Sequence, residues 1–451
     1  MVGPDYKRPQ LAPPQAFKSQ TPSSPDLIAP EWWRLYGDPE LDRLVTVATD
    51  SNQTLRQAVA AVDQARAVAR IAASFLAPTI TADPTLTRER TSATRESTFS
   101  GQTVGTNATI TDWLVPIDLT YEIDVWGRVR RGLESARAQA VATSDDEAAV
   151  RLMVQTDVAQ FYYTLRLLDA QIEILTQTVD SYREQVRILS VQVRTGLTSP
   201  IALSQADALL QSTLAQQQDF ERARADQEHA LAILCGQPAP SFSVPPNPLQ
   251  EISPPDVPVG LPAMLLTRRP DVAATEEAVV AANAQIGVAM AEFYPQFTLA
   301  SFAGFESANL KNLTEWKSGI ASIIPGVSLP IFEGGRLKAN LAATRAQYRQ
   351  TVAAYVNQVL IAYADVEDAL TDLHAYTDEV ADLRNAVTAS QEYLRLANAQ
   401  FSIGLVDYLT VIDAERTLLA NQLLFTQNVN SQLGSSIRLI KALGGGWQAA
   451  P

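Results

Sequence analysis

The sequence predicts a mainly α-helical chain that carries four membrane-crossing β-strands and is built as an internal duplication. Three observations predict it. Arg336 to Ile403 runs sixty-eight residues without a Gly or Pro, bracketed by Gly334-Gly335 and Gly404. Gly and Pro punctuate helices, so their absence marks one continuous helix, roughly 100 Å long and about three times the thickness of a bilayer's hydrocarbon core. The same rod occurs earlier: Gly127 to Gly196 matches Gly335 to Gly404 at a constant offset of 208 residues, with Gly127-Arg128-Val129-Arg130 at one head and Gly335-Arg336-Leu337-Lys338 at the other. A repeat of about 200 residues lies far above solenoid periods and marks two copies of one architectural unit. Finally, the hydrophobic period changes from 3.6 to 2 after Pro78 and again after Pro295, the sign of strands set between helices.

Composition excludes several classes. The net charge is -14, with a pI near 4.7, against the basic footprint that nucleic acid demands. The lone Cys235 forms no internal disulfide or thiolate cluster and sits in an apolar run as a buried small hydrophobe. His229 and His374 stand alone in helical segments, and the carboxylate pairs Glu276-Glu277 and Glu367-Asp368 are adjacent rather than convergent. No nucleophile, base or metal constellation emerges, so the chain reads as no enzyme and needs no cofactor. No stretch approaches eighteen apolar residues, and no cleavable signal peptide is apparent.

In chain order, residues 1–39 hold eight prolines and the Trp32-Trp33 pair, an extended arm that must lie on something, with the tryptophans as anchors. The first repeat spans 40–237. Leu41, Leu44, Val45 and Ala48 give an amphipathic helix, Ser51 or Asn52 caps a second one, and Pro78 ends it. A strand is expected over about 79–88, a polar loop from Arg88 to about Ile110, and a second strand over 111–123. In that strand Trp113, Val115, Ile117, Leu119, Tyr121 and Ile123 share one face against Asp112, Asp118, Thr120 and Glu122. An apolar band about ten residues long with an aromatic at each end is what a membrane-facing strand shows; a strand of a soluble sheet is the alternative.

The long helix follows over about 128–195, with apolar residues at 3-4 spacing from Val154 through Leu189, and a return helix over 201–235 makes a hairpin. A proline-rich crossover occupies 238–262. The second repeat, 263–443, has strands over about 296–306 and 320–331, the long helix 336–403 and a return helix over about 407–433, and 444–451 form a tail. Phe297, Leu299, Ser301, Ala303 and Phe305 form one strand face, and Ile323, Val327, Leu329 and Ile331 form the other. Four strands cannot close a membrane barrel, since bacterial barrels begin at eight. A symmetric trimer contributing four per chain would close twelve.

The run Val2-Gly3-Pro4-Asp5-Tyr6-Lys7-Arg8-Pro9, then Tyr121-Glu122-Ile123-Asp124-Val125-Trp126-Gly127-Arg128, Leu266-Thr267-Arg268-Arg269-Pro270-Asp271, Phe293-Tyr294-Pro295 and Lys441-Ala442-Leu443-Gly444-Gly445-Gly446-Trp447 resembles the outer-membrane efflux protein family. The fit is to its OprM-like (NodT-type) branch, relatives of TolC, over essentially the whole chain. The resemblance implies a trimer in the outer membrane of a Gram-negative bacterium: a twelve-stranded barrel continued by an α-helical periplasmic barrel. It implies the exit duct of a tripartite multidrug efflux pump, working with a periplasmic adaptor (membrane fusion protein) and an inner-membrane transporter of RND type. A duct for metal-ion efflux or type I protein secretion is the alternative. That branch places a lipidated Cys directly before such an arm, where this sequence has Met1; either the Cys has been replaced or this lipoprotein anchor is lacking.

The resemblance also assigns a periplasmic gate to Tyr408-Leu409-Thr410-Val411-Ile412-Asp413-Ala414-Glu415-Arg416. Leu409 and Asp413 share a helix face with Arg416 three residues further on. In a trimer, three Leu409 side chains would form an apolar constriction and three Asp413 carboxylates a charged ring, held by partners such as Arg416 or by a cation and opened by an iris-like helix shift. Without the family, Asp413 and Arg416 are an ordinary surface pair. The first copy has Leu203, Ala206 and Asp207 near the equivalent place and Pro200 where the second has Tyr408, so only the second tip reads as a gate. Adaptor contacts are expected at the hairpin turns, Arg194, Thr195, Gly196, Leu197, Thr198 and Ser199 in one copy and Ser402, Ile403, Gly404, Leu405 and Val406 in the other. Turn chemistry alone accounts for the two glycines.

Overall fold

The computed structural model describes residues 1–10, 14–18, 28–90, 98–99, 102–103, 109–249, 254–259 and 262–448. Parts of the expected arm, the polar loop after Arg88, the crossover and the tail therefore lie outside the described residues. Contacts divide the chain into two units, one of Met1–Pro9, Val62–Ala142 and Thr275–Tyr355, the other of Gln10–Ala61, Thr143–Ala274 and Val356–Pro451. Each unit takes a part of both sequence repeats. The duplicated halves are interleaved rather than set side by side.

The helices are α1 (Pro39–Ser51), α2 (Gln53–Ser74), α3 (Arg128–Arg194), α4 (Pro200–Leu234), the short α5 (Leu265–Arg268), α6 (Pro270–Ala291), α7 (Arg336–Ser402) and α8 (Tyr408–Ala442). The strands are β1 (Thr79–Thr81), β2 (Thr85–Arg90), the small pair β3 (Thr98–Phe99) and β4 (Gln102–Thr103), β5 (Thr109–Ile123), β6 (Gln296–Ser307) and β7 (Gly319–Ser328).

The first unit is organised by its sheet. β1 and β2 both pair antiparallel with one edge of β5, whose other edge pairs with β6, and β6 pairs with β7. The expected strand over 79–88 is thus one ribbon broken at Ala82-Asp83-Pro84, where Pro84 has no N–H to give the ladder. The expected strand over 320–331 stops at Ser328, whose partner Gln296 is the first residue of β6, and Leu329 and Ile331 are exposed beyond it.

Register turns sequence alternation into a surface. Val115 lies opposite Phe305, Ile117 opposite Ala303, Tyr121 opposite Leu299 and Ile123 opposite Phe297. Ile80 lies opposite Leu119 and Leu86 opposite Trp113, while Ile323 and Val327 meet Ser301 and Phe297. Side chains directly opposite share a face, so Trp113, Val115, Ile117, Leu119 and Tyr121 join one apolar face running across the whole sheet. At the centre Pro116 sits opposite Gly304, where an added Cβ would lie 2.1 Å from the Val115 carbonyl oxygen. Only glycine admits that approach.

Tight contacts close the rest of this unit. The Trp126 indole donates to the Pro295 carbonyl at 2.9 Å and stacks on Tyr294 at 4.7 Å, joining the end of β5 to the start of β6. The first residues of the arm lie in a polar slot: Val2 N–H donates to the Trp126 carbonyl at 2.9 Å, and Asp5 pairs with the buried Arg131 at 2.7 Å. Glu276 accepts from Tyr6 at 3.0 Å and Arg8 at 2.6 Å. One half of the Glu276-Glu277 pair thus has a structural task.

The second unit is helical. Its main core joins Trp32 and Tyr36 with Leu41, Leu44 and Val45 of α1, Val158, Tyr162 and Leu165 of α3, Leu231 of α4 and Leu433 and Ile437 of α8. The tryptophans are anchors as expected, and Cys235 is buried in the same core with its thiol pushed up to about 11 by burial. Asn52 does more than cap: its Oδ1 accepts the Leu55 N–H at 2.9 Å, while its Nδ2 donates to the Leu234 carbonyl at 2.9 Å and so closes the end of α4. Both long helices end in the same turn. Gly196 and Gly404 take φ of +74° and +77°, and Leu197 N–H reaches the Gln192 carbonyl at 2.8 Å as Leu405 N–H reaches Gln400 at 2.9 Å, the six-to-one closure that a left-handed glycine makes.

The second return helix runs to Ala442 rather than stopping near residue 433. Its interior Gly434 weakens the helix by only about 1 kcal/mol, and the buried Leu433, Ile437 and Ile440 hold it in place. A buried ionic cluster docks the crossover. Asp169 bridges Arg166 at 3.0 Å and Arg224 at 2.6 Å. The two arginines donate to the Pro245 and Val244 carbonyls, and Asp169 accepts the Asn247 N–H at 2.9 Å.

Two outcomes test this packing. Gly304→Val forces β5 and β6 apart, and the folded, heat-modifiable band on an unheated gel is expected to be lost. Asp169→Ala leaves the buried Arg166 guanidinium without its carboxylate, a change on the order of 3–5 kcal/mol, and is expected to lower the thermal midpoint of the helical signal in circular dichroism.

Candidate functional site

The two hairpin tips hold most of the residues that the sequence singles out, and both belong to the helical unit. At the turn between α3 and α4, Ser199 caps α4 through its side chain, which accepts the Ile201 N–H at 3.2 Å; at the turn between α7 and α8, Asp407 caps α8 by accepting the Thr410 N–H at 3.2 Å. The glycine turn of each hairpin needs no apolar neighbour, yet Leu197, Ile201, Ile403 and Leu405 are exposed by 79%, 67%, 70% and 71%. These large aliphatic side chains stand in water beside polar caps.

Helix α8 begins with two opposed faces. Leu409, Asp413 and Arg416 follow i, i+4, i+7 and are exposed, whereas Tyr408, Val411, Ala414 and Glu415 are buried against the neighbouring helices. Three of the four residues assigned to a gate therefore share a free face, and Tyr408 turns away from it. Asp413 does not pair with Arg416. Its Oδ2 accepts the Tyr393 hydroxyl of α7 at 3.1 Å, which raises the pKa of that phenol, and among the described residues Arg416 forms no salt bridge within the chain.

Tyr408 belongs to a different cluster. Its hydroxyl donates to Gln185 Oε1 from α3, and Gln185 Nε2 donates to Glu415 Oε1. Burial pushes the Glu415 carboxyl up to about 7, against the lowering effect of that amide, and holds the Tyr408 and Tyr182 phenols well above their ordinary value. These partners were not legible as site residues. The one signal lies in the offset of 208 residues, which places Gln185 and Tyr393 at equivalent positions of the two long helices, each reaching the start of α8.

The first tip lacks this chemistry. Asp207, equivalent to Glu415, is exposed beside Gln211, and Pro200 at the head of α4 replaces the Tyr408 phenol with a ring that has nothing to donate. No helix among the described residues is long and apolar enough to cross a membrane.

Known proteins resemble this chain over its whole length. The profile of the outer membrane efflux protein family matches residues 44–237 and 261–445, one span on each repeat. The toluene efflux pump outer membrane protein TtgF of Pseudomonas putida is 32% identical, over 98% of this chain and 93% of that protein. The cation efflux system protein CusC of Escherichia coli is 30% identical over 99% of this chain and 96% of its own length. A crystal structure of a membrane protein from Pseudomonas aeruginosa superposes with a TM-score of 0.91 at 29% identity, covering 100% of this chain and 98% of that one. Motifs, fold and full-length similarity agree, and the chain belongs to the outer membrane efflux protein family.

Proposed function

We propose that this protein is the outer-membrane exit duct of a tripartite efflux pump and works as a homotrimer gated at the second hairpin tip. The observation that carries this reading is the apolar face shared by all the paired ribbons of an open sheet. Unpaired strand edges are not tolerated in hydrocarbon, and three copies of a four-ribbon sheet give the twelve strands of a closed barrel. The paired long helices then wall a periplasmic tunnel, through which cargo passes without any chemistry by the duct.

The exposed face of α8 supplies the gate. Around a threefold axis Leu409 forms an apolar constriction and Asp413 a ring of carboxylates, which repel one another unless countered. Tyr393 holds Asp413 within each chain, and Arg416, without an ion pair of its own, is placed to counter the ring across the boundary between copies. The exposed aliphatic crowns around Gly196 and Gly404 serve the tip-to-tip docking of a periplasmic adaptor, itself attached to an inner-membrane transporter of RND type. Toluene efflux by a relative supports small apolar cargo. CusC, with its cation cargo, favours metal-ion efflux as the second reading, and the net charge of -14 suits a wet duct that tolerates cations.

Single-channel conductance in a planar bilayer tests the gate. The wild type is expected to show a small, flickering conductance that rises severalfold in Asp413→Ala with Arg416→Ala, with an intermediate rise for Tyr393→Phe. An inserted channel whose conductance is the same in all three refutes the gate assignment, and a folded protein that forms no channel refutes the barrel. Loss of solvent tolerance without loss of metal-cation tolerance in a deletion strain decides between the two cargo readings.

A further inference from the structure

Five charged side chains are buried among the described residues: Arg131, Arg166, Asp169, Arg269 and Glu415. Four have ionic partners, Arg131 with Asp5 and Glu134, Arg166 with Asp169, Asp169 also with Arg224, and Arg269 with Asp271 and Asp365. Glu415 alone has none. Its Oε1 accepts from the neutral Gln185 amide, and its Oε2 is buried with no hydrogen-bond partner. It lies two turns into α8, directly behind the Leu409 and Asp413 face. Among the described residues no cation pairs with it. From α3 come Tyr182, whose buried hydroxyl is also unpartnered, and Gln185; from α8 itself comes Tyr408, with Arg416 near enough to act on Tyr182. The adjoining core is apolar, with Ala202, Leu203 and Ala206 from α4 and Leu394, Ala397 and Phe401 from α7.

We infer that Gln185, bridging Tyr408 and Glu415, is a positioning latch that docks the first two turns of α8 on α3 only while the Glu415 carboxyl carries its proton. Losing that proton to solvent leaves a carboxylate in an apolar setting with one hydrogen bond from a neutral amide, a state that favours undocking. The inference rests on the gate reading above and adds the control that acts on it: acid holds the tip shut, and neutral to alkaline medium loosens it. The sign follows from linkage. A carboxyl raised from 4.5 to about 7 by burial gives the docked tip an advantage that is full below the exposed value, declines as pH rises and is gone above about 7. That displacement corresponds to a change on the order of a hundredfold in the ratio of undocked to docked tips. The first repeat provides the contrast, since Asp207 at the equivalent place is exposed and no Gln–Tyr bridge closes over it.

Hydrogen exchange of the full-length protein in detergent, followed on peptides covering 408–416 at pH 5 and pH 8 with labelling times scaled for the intrinsic rate, tests it. Wild type is expected to lose at least tenfold protection at pH 8, whereas Glu415→Gln, which keeps the shape without the charge, stays protected at both. Gln185→Met removes the bridge and is expected to expose the same amides at both values. Equal wild-type protection at the two pH values, the wild-type loss persisting in Glu415→Gln, or wild-type protection of Gln185→Met at pH 5 would each overturn the latch. Conductance over the same range separates this from the gate: exchange that switches while conductance stays flat keeps the latch and removes the gate assignment.

Discussion

The edges of the sheet govern this structure. β5 and β6 are each paired on both sides, but β7 and the β1–β2 ribbon end the order of the sheet, and their outer N–H and C=O groups have no partner strand within it. In water such edges are managed with charge or cover; in hydrocarbon they must be paired, because no solvent can satisfy them. The apolar face that register assembles from Trp113 to Val327 commits the sheet to hydrocarbon. In the proposed trimer further copies of the chain supply these missing partners, and the demand for them comes from backbone hydrogen bonding.

Duplication supplies the strands and helices economically and then diverges where function differs. Both halves contribute a long helix, a left-handed glycine turn and a return helix of matching length. The heads of the return helices differ in chemistry: α4 opens on Pro200 and exposes Asp207, and α8 opens on Tyr408 and buries Glu415. The two copies thus keep one backbone turn and set different side chains behind it.

The ionic clusters explain several motifs that sequence alone presents as strings. Arg269, from the Arg268-Arg269-Pro270-Asp271 run, is buried and ties the head of α6 to α7 through Asp365 at 2.8 Å and to the end of α8 through the Ala442 carbonyl at 3.3 Å. Arg166 and Asp169 pin the proline-rich crossover, whose missing N–H groups leave carbonyls in need of donors. Such buried pairs add little net stability over apolar packing, yet breaking one leaves an uncompensated charge. They set position more than strength.

Much of this was legible because the signals are local and repeated. The glycine brackets at 127, 196, 335 and 404 delimit the rods, the two-residue period marks the strands, and the eleven apolar positions expected along α3 from Val154 to Leu189 are all buried or half-buried. What failed was also local reasoning: the second return helix continues past residue 433, Pro84 cuts a strand that alternation alone carries through, and β7 ends where its partner β6 begins. The partners of the gate segment were out of reach in principle. Gln185 lies 223 residues from Tyr408 and 230 from Glu415, and nothing in either segment names the other. By itself the sequence determined the rods, the strand faces and the family, since these depend on periodicity and punctuation within a few residues. Only the tertiary structure decided that Asp413 leans on Tyr393 and that Glu415 is sealed beside Gln185, because burial and its electrostatic consequences arise only when distant helices close over a side chain.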